Sequence, residues 1–266
     1  MKSQIFRYPG SKERFLETLR HYLDQLLRGR NAFADVYVGG GSVLLDVARR
    51  DRKLELYAND LDPDVAAFWK VMASDDGSID LLCERLDVVP TLELFDKIRS
   101  EPASDLVGRA FAAVIRNRCA FSGYLTGGPL GGRTQTGKMK IFSRYNKEKV
   151  IEAVAEAHRL LSGRLQVFSV DGINFVRRHA KKPLFCDPPY FEKGPLLYRY
   201  FMKPAQHRAL AQELRSASKW ALTYDDCMEI RSLYSGCRID PLPVKYSGTR
   251  ENGTWREQSE MVITPL

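Results

Sequence analysis

The sequence predicts an α/β fold organised around one mainly parallel β-sheet. Short apolar runs alternate with stretches of helical periodicity along most of the chain. A Gly39-Gly40-Gly41 turn directly follows the first apolar run and opens a helix. The Asn252-Gly253 dipeptide favours a tight hairpin turn, which indicates that an antiparallel pair closes the sheet.

The N-terminal region supplies the first elements of this fold. Ser11 is a candidate N-cap for an amphipathic helix whose apolar residues recur until Leu27, and Gly29 ends the run. A strand, helix, strand unit then follows at residues 32–38, 42–50 and 54–58. The second strand ends at Asn59-Asp60, and a helix is predicted from Pro63 to Met72.

The later elements continue the alternation. Three short apolar runs predict strands at residues 165–170, 184–186 and 220–223. Residues 205–216 have helical periodicity and lie between the last two of these runs. Residues 244–250 and 255–264 flank the Asn252-Gly253 turn, so we expect them to form the antiparallel pair.

A segment from residue 75 to residue 163 breaks the alternation, and one part of it, residues 105–150, is rich in basic side chains. The chain has 41 Lys and Arg against 33 Asp and Glu, and residues 105–150 contain nine basic residues against two acidic ones. Aromatic residues are interleaved with these charges: Phe121, Tyr124, Phe142 and Tyr145. This pattern predicts a nucleic-acid-binding insertion, with a merely solvated basic face as the alternative.

Composition excludes several other classes of protein. The opening residues lack an apolar signal segment, and no apolar stretch is long enough to span a bilayer, so we expect a cytoplasmic protein without membrane contact. Five cysteines without a C-x-x-C spacing predict reduced thiols rather than disulfides or a zinc site. We expect no metal requirement.

The Asp187-Pro188-Pro189-Tyr190 tetrapeptide directly follows the apolar run 183–186. Two consecutive prolines remove two N–H donors and fix the backbone, so the segment presents oxygen acceptors at a rigid strand end. Two acceptors, the Asp187 carboxylate and the Pro188 carbonyl, suit an exocyclic base amine whose lone pair is delocalised into the ring. The Tyr190 ring could stack on a base rotated out of its helix, whereas a purely structural turn would also tolerate Asp-Pro-Pro.

These motifs, in this order, resemble the Dam-type (D12 class, alpha-group) DNA adenine-N6 methyltransferases. The resemblance includes the stretch from Phe6 to Lys12 and covers essentially the whole chain. It implies a class I, Rossmann-like methyltransferase sheet of seven strands in the order 3-2-1-4-5-7-6, with an antiparallel C-terminal strand. It also implies a catalytic domain at residues 1–74 and 164–266, and an inserted target-recognition subdomain at residues 75–163.

The resemblance implies S-adenosyl-L-methionine as the cofactor. The residues expected to bind it are Tyr8, Gly10, Lys12, Tyr37, Gly39, Gly40, Gly41, Ser42, Asp60, Leu61, Asp171 and Asp187. Lys12 would pair with the cofactor carboxylate, its alternative being a surface lysine. Asp60 would accept from the ribose, with Asp62 as the competing choice and one of the two as a helix N-cap. Asp171 would lie near the cofactor adenine, unless it only caps a loop.

The basic insertion would contact DNA. The segment from Asn117 to Gly123 resembles the Dam-type recognition hairpin, in which Phe121 would wedge into the base stack. The residues expected at DNA are Arg116, Arg118, Phe121, Ser122, Thr126, Arg133, Lys138 and Lys140. The stretch from Gly132 to Lys138 nearly spells a phosphate-binding P-loop, but Met139 replaces the Ser or Thr that would bind magnesium.

The reaction implied is methylation of the adenine N6 amine in double-stranded DNA, by base flipping and in-line displacement without a covalent enzyme intermediate. The partners implied are double-stranded DNA and, for a restriction–modification pair, a cognate restriction endonuclease, in a bacterial or phage-infected cell. Two alternatives stand beside this interpretation: an RNA adenine-N6 methyltransferase, and a non-catalytic nucleic-acid-binding protein built on the same fold.

Overall fold

The computed structural model describes residues 5–7, 10–123, 127–192, 194, 200–242 and 260–266. Its centre is a seven-stranded sheet in the order β3-β2-β1-β4-β5-β7-β6. The strands are β1 (Ala32–Asp35), β2 (Glu55–Asn59), β3 (Leu165–Phe168), β4 (Pro183–Cys186), β5 (Lys219–Asp225), β6 (Arg238–Leu242) and β7 (Glu260–Thr264). The strand order implied by the family resemblance is therefore confirmed.

The sheet is parallel except where β7 enters it. The first five strands pair in parallel, with Ala34 opposite Leu184 at the contact between β1 and β4. β7 runs antiparallel to both β5 and β6, with Leu222 opposite Ile263. The strand order reverses direction between β1 and β4, and open α/β sheets form their ligand crevice at such a switch point.

Helices cover both faces of the sheet. They are α1 (Leu16–Leu27), α2 (Ser42–Arg50), α3 (Pro63–Ala73), α4 (Ser78–Leu86), α5 (Leu92–Ser100), α6 (Leu106–Cys119), α7 (Lys147–Leu161), α8 (Gly172–His179), α9 (Pro204–Arg215) and α10 (Met228–Leu233). A short 3-10 turn, Lys12–Phe15, precedes α1, and the Ser11 side chain caps that turn by accepting from the Glu13 amide. Ser11 is therefore an N-cap, but of the 3-10 turn and not of α1, whose N-cap position is Phe15 and has no side-chain cap.

Two hydrophobic layers follow from the alternation of side chains along each strand. In β1, Phe33 belongs to the cluster that includes α1, α2, α3, α6 and α7. Its neighbours Ala32 and Ala34 belong to the opposite cluster, with α8, α9 and α10. Because successive strand side chains point to opposite faces, the fully apolar strands predict a sheet that is buried on both sides.

The segment from residue 75 to residue 163 forms α4, α5, α6, a long loop and α7. Val107 and Ala110 of α6, together with Leu160 of α7, belong to the same hydrophobic cluster as Phe68 of α3. A smaller cluster around Phe95, Ile115 and Ile141 belongs to this segment alone. Part of the insertion therefore shares the core of the sheet domain, and only its outer part has a core of its own.

The C-terminal end of the sheet differs from the predicted pairing. β7 occupies the end of the predicted strand 255–264, but its neighbour is Arg238–Leu242, which the sequence did not indicate as a strand. This strand contains Pro241, which has no backbone N–H to donate to a neighbouring strand. Its sequence therefore does not predict a strand, and the strand lies at the edge of the sheet. Residues 244–250, the predicted partner, and the Asn252-Gly253 turn lie outside the described residues.

Candidate active site

A cleft opens at the carboxyl edge of the sheet, where β1, β2, β3 and β4 end beside one another. It is lined by nearly all the residues expected to bind the cofactor: Gly10, Lys12, Tyr37, Gly39, Gly40, Gly41, Ser42, Asp60, Leu61, Asp171 and Asp187. Tyr8 lies outside the described residues. The tertiary structure therefore brings together side chains from four strand ends that the sequence suggested separately.

The glycine turn forms the floor of this cleft. Gly41 has a φ of 68°, and a Cβ atom there would lie 2.2 Å from the Trp69 ring of α3. The Trp69 indole in turn donates a hydrogen bond of 3.0 Å to the Gly39 carbonyl. Position 41 consequently requires glycine twice, for its left-handed backbone and for the closeness of the indole.

Asp35 is the last residue of β1 and lies close to the glycine turn in sequence. The carboxyl group is buried, its Oδ1 atom has no hydrogen-bond partner among the described residues, and the backbone amides of Tyr37 and Leu44, on either side of the glycines, lower its pKa. Burial raises the pKa of Asp35 well above its usual value, and the nearby Asp187 carboxylate raises it further. Sequence analysis missed this residue, although an acid closing a fully apolar strand before a glycine turn is a usable signal.

Asp60 and Asp62 both line the cleft, and the structure assigns the helix cap to one of them. Asp60 accepts from the Gly39 amide at 3.0 Å and from the Asp62 amide at 2.9 Å, and it lines the cleft. Asp62 accepts from the Asp64 amide and is the N-cap of α3. Burial raises the pKa of Asp60 to about 7. The cap belongs to Asp62, and Asp60 keeps carboxylate lone pairs free for a ligand in the cleft.

Asp171 caps a helix and also lines the cleft. Its Oδ1 atom accepts from the Ile173 and Asn174 amides and so caps α8. The same residue lines the cleft at the end of β3. Capping uses one carboxylate oxygen, so the other remains able to accept from a ligand; contact with the cofactor adenine stays a prediction.

The Asp187-Pro188-Pro189-Tyr190 tetrapeptide follows β4 at the opposite wall of the cleft. The Asp187 Oδ1 atom accepts from the Thr223 hydroxyl at 2.6 Å and lies 2.8 Å from the Lys12 Nζ atom. Burial raises the pKa of Asp187, and the Lys12 charge acts in the opposite direction. Pro188 is buried and Pro189 lines the cleft, so the prolines hold the carboxylate at its rim.

Lys12 belongs to a buried charge network that the sequence did not predict. Its side chain is 3% exposed, donates to the Gly10 carbonyl and lies 3.6 Å from a Glu260 oxygen. Glu260 opens β7, is 1% exposed and accepts from the Tyr190 hydroxyl at 2.6 Å. Lys12 is therefore tied to the catalytic tetrapeptide from two sides. Its contact with the cofactor carboxylate stays a prediction.

Aromatic residues at the cleft differ from those that the sequence emphasised. Tyr190 is 6% exposed, with the Lys12 ammonium 5.0 Å from its ring centroid. Tyr200 and Phe201, which are 37% and 48% exposed, line the cleft together with Met202. Stacking of a target base on Tyr190 stays a prediction, and Tyr200 and Phe201 present further aromatic surface.

The loop that follows α6 connects the inserted segment to this cleft. Its two sides pair through the Phe121 amide to the Gly128 carbonyl and the Leu130 amide to the Cys119 carbonyl. Phe121 is 63% exposed, whereas Gly123 lines the cleft and packs against the Arg7 backbone. The loop therefore carries an exposed aromatic side chain next to the cleft. Thr126 and Tyr124 lie outside the described residues.

Two of the arginines expected at DNA make internal contacts. Arg116 forms an ion pair of 3.0 Å with Asp64 of α3 and donates to the Ile98 carbonyl of α5. Arg118 donates through Nε to the Ile5 carbonyl at 2.7 Å and is partly buried. Arg116 thus holds three helices together; DNA contact by either arginine stays a prediction.

The other expected DNA contacts lie on the surface. Arg133 pairs with Asp96, Lys140 donates to the Gln135 carbonyl, and Ser122 and Lys138 are exposed. Residues 131–144 contain turns, and the next helix, α7, begins only at Lys147. A P-loop lies between a strand and a helix that follows it directly, and residues 131–146 do not have that arrangement. These side chains can reach a ligand outside the protein, and their DNA contacts stay predictions.

The described residues contain neither a candidate metal site nor a candidate membrane span. No group of three or more His, Cys, Asp or Glu side chains could hold a metal ion there. All five cysteines are free thiols, as the sequence predicted. Within the same part of the chain, no helix combines the length and apolarity needed to cross a bilayer.

Comparison with known families agrees with the geometry of the cleft. Residues 8–247 match the family model described as D12 class N6 adenine-specific DNA methyltransferase. No curated protein sequence matches the chain. The family match includes the glycine turn, the inserted segment and the tetrapeptide, and it covers most of the 266 residues. The chain belongs to the D12 class of adenine-specific DNA methyltransferases, enzymes that act on the N6 amine of adenine in DNA.

Proposed function

We propose that this enzyme methylates the adenine N6 amine of double-stranded DNA by direct in-line transfer to a base rotated out of the duplex. The observation that carries the proposal is the position of Asp187, at the rim of the same cleft as the glycine turn. A methyl donor on the floor of the cleft and an acceptor amine beside Asp187 would meet without rearrangement of the sheet. Positioning of this kind supplies much of the rate enhancement in two-substrate reactions.

The residues of the cleft fit S-adenosylmethionine, which supplies an electrophilic methyl group when bound. Gly39 and Gly40 line the floor without side chains, and Gly41 lies against Trp69. Asp60 would accept from the ribose hydroxyls, because its remaining lone pairs face the cleft. Asp171, at the neighbouring strand end, would accept from the adenine amino group of the cofactor. The N-terminus of α2, which begins at Ser42, suits a carboxylate.

Asp187 would orient the target amine. Thr223 and Lys12 both bind its Oδ1 atom, so Oδ2 remains available to accept an N–H of adenine. The Pro188 carbonyl would accept the second N–H. These two acceptors favour a pyramidal nitrogen whose lone pair can attack, and the proton leaves after transfer because the methylated product cation is far more acidic.

Phe121 would help the target base leave the duplex. Its exposed ring stands on a loop whose neighbour Gly123 lines the cleft. An apolar wedge that enters a base step offsets part of the few kcal/mol needed to unstack a base. The wedge and the acceptor site would then act on the same nucleotide. This scheme requires no metal ion.

The test compares Asp187→Ala with Asp24→Ala, which removes an exposed carboxylate paired with Arg50 on the protein surface. Methyl transfer to duplex DNA would be measured with radiolabelled S-adenosylmethionine, and binding of S-adenosylhomocysteine by calorimetry. We expect Asp187→Ala to lose at least about 100-fold in activity while it keeps most of its affinity for the cofactor product. Near-wild-type turnover, or methylation of RNA in preference to duplex DNA, would overturn the proposal.

A further inference from the structure

Asp225 is a buried carboxylate that has no role in the mechanism proposed so far. It is the last residue of β5 and is 3% exposed. Its Oδ1 atom accepts from the Phe191 amide at 3.1 Å, and its Oδ2 atom accepts from the Glu192 amide at 3.0 Å. Both carboxylate oxygens are thus bound to consecutive main-chain donors, so Asp225 fixes the chain that directly follows the tetrapeptide.

The same strand also holds the beginning of the tetrapeptide. Thr223 lies two residues before Asp225 and donates to the Asp187 Oδ1 atom at 2.6 Å. Side chains two residues apart on a strand point to the same face, and their Cα atoms lie about 6.6 Å apart. The span from Asp187 to Phe191 is therefore held at both ends by one strand, and its two prolines restrict the backbone between those ends.

A third contact comes from the neighbouring strand. Glu260 of β7 stands directly opposite Asp225 in the antiparallel register and accepts from the Tyr190 hydroxyl at 2.6 Å. Carboxylates in opposite positions repel each other, and burial increases the cost of each charge. The Lys12 ammonium, 3.6 Å from a Glu260 oxygen, offsets part of this repulsion. Two buried acids that lower stability while both hold one short segment indicate that the position of this segment matters for function.

The chain beyond Tyr190 packs back onto the prolines. The Gly194 amide donates to the Tyr190 carbonyl at 2.8 Å, and a Cβ atom at Gly194 would lie 3.4 Å from Pro189. The fixed φ angles of two consecutive prolines leave few torsions that could absorb a shift. A displacement of the chain that Asp225 holds would therefore reach the Pro188 carbonyl.

We propose that Asp225 is a positioning residue for methyl transfer. By holding the two amides that follow the tetrapeptide, it fixes the Pro188 carbonyl and the Tyr190 ring at the target amine. This inference rests on the proposed function, since it assumes that these two groups contact the adenine. A misplacement of about 1 Å between reacting groups can lower a rate by about 100-fold, so a residue outside the cleft can control turnover through geometry alone.

The test measures single-turnover methyl transfer by Asp225→Asn. Asparagine has a similar volume but presents one acceptor and one N–H donor, so one of the two amides loses its acceptor. We expect the rate on duplex DNA to fall by about 10- to 100-fold, while the affinity for S-adenosylhomocysteine changes by less than about twofold. Asp240→Asn is the matched control, because Asp240 is a partly buried carboxylate of β6 that accepts from Tyr22 and Arg238. It should keep the wild-type rate.

Two further measurements separate positioning from other effects. A mismatched target adenine should not restore the rate of Asp225→Asn, because the defect follows the release of the base from the stack. The acid limb of the pH–rate profile should also stay in place. Lys12, Thr223 and Glu260 influence the pKa of Asp187 after burial has raised it, and the substitution leaves all three unchanged. Where Asp225→Asn does not fold, Asp225→Glu takes its place in the same measurements. It keeps both acceptor oxygens one methylene further out, so it should displace the segment and lower the rate without weakening cofactor binding.

The possible results distinguish this inference from the proposed function. A wild-type rate in the Asp225 variant, or recovery on the mismatched target, would overturn the positioning role and leave the proposed function standing. A loss of rate that only matches a loss of S-adenosylhomocysteine binding sites would make Asp225 a residue of folding stability, which also overturns it. Near-wild-type turnover of Asp187→Ala would instead contradict the proposed function itself.

Discussion

Lys12 and Asp187 form a buried ion pair, with 2.8 Å between the Lys12 Nζ atom and the Asp187 Oδ1 atom. One residue opens the first helical turn of the chain, and the other follows the fourth strand. Glu260 joins them from the last strand, 3.6 Å from the same ammonium group. The pKa of Asp187 is thus influenced by residues from the first helical turn and from β7.

Removing the Lys12 charge should change the pH dependence of catalysis. In the proposed mechanism Asp187 accepts from the target amine in its ionised form. Burial raises the pKa of Asp187, and the Lys12 charge opposes that rise. In Lys12→Met the pKa of Asp187 should increase further. On acidification, the variant should therefore lose activity at a higher pH than the wild type does. We expect at least about a tenfold loss of turnover at pH 7, with partial recovery at alkaline pH, and breaking the buried pair should destabilise the fold by about 3–5 kcal/mol.

The pH–rate profile of Lys12→Met should be compared with that of Arg14→Met, which removes an exposed cation from the same segment. The control should keep the wild-type acid limb. If Lys12 serves only the cofactor carboxylate, its substitution would instead weaken binding of S-adenosylhomocysteine and leave the acid limb in place. Recovery at alkaline pH also distinguishes an electrostatic effect from simple misfolding.

Asp60 should make cofactor affinity depend on pH near neutrality. Burial raises the pKa of Asp60 to about 7, above the value of 3.8 for a free side chain. Protonated Asp60 therefore contributes to the folding stability of the unliganded protein. This contribution is complete below about pH 4 and is lost as the pH rises through about 7. Ribose hydroxyls donate best to the ionised form, so calorimetry should show weaker binding of S-adenosylhomocysteine as the pH falls below about 7.

Asp60→Asn should bind the same ligand more weakly by about 1–3 kcal/mol and with little pH dependence. Asp24→Asn is a suitable control, since it neutralises an exposed carboxylate that does not line the cleft. The described residues that line the cleft include no histidine, so no imidazole there would produce the same profile. A pH dependence that persists in Asp60→Asn would assign it to another group.

Gly41→Ala should destabilise the fold more than Gly29→Ala. Both glycines have a left-handed backbone, with φ values of 68° and 70°. A Cβ atom at position 41 would collide with the Trp69 ring, whereas nothing lies within 4 Å of one at position 29. We expect about 1 kcal/mol for the Gly29 variant and an additional 1–3 kcal/mol, roughly, for the Gly41 variant in urea unfolding. Equal losses would mean that Trp69 moves aside without cost.

Phe121→Ala should slow methylation of paired targets more than of mismatched ones. Its ring is exposed, so the substitution should leave the melting temperature nearly unchanged. A mismatched adenine leaves the stack more easily, and the wedge contributes less to its release. Single-turnover rates should fall by about 10- to 100-fold on a paired duplex and by much less on a mismatched one. Equal losses on both would remove the wedge role from Phe121.

The sequence, through its motifs and the family that they resemble, predicted the order of the sheet and most of the residues that line the cleft. The glycine turn, Asp60, Asp171 and the Asp187 tetrapeptide each stand where a strand ends, and parallel strands end at one edge. Local rules also fixed Ser11 as a cap and placed α2 directly after the glycines. Such features depend on short stretches of chain, for which backbone preference and periodicity are sufficient guides.

Only the tertiary structure decided which charges meet. Lys12 pairs with Asp187, Arg116 with Asp64, and Glu260 accepts from Tyr190, and each pair joins segments far apart in sequence. A charged side chain has the same local pattern whether it faces solvent, DNA or a buried partner, so its sequence neighbours do not specify its role. Its burial and its partners are set by how the helices and strands pack, because a charge removed from water must find an opposite charge or hydrogen bonds within the fold.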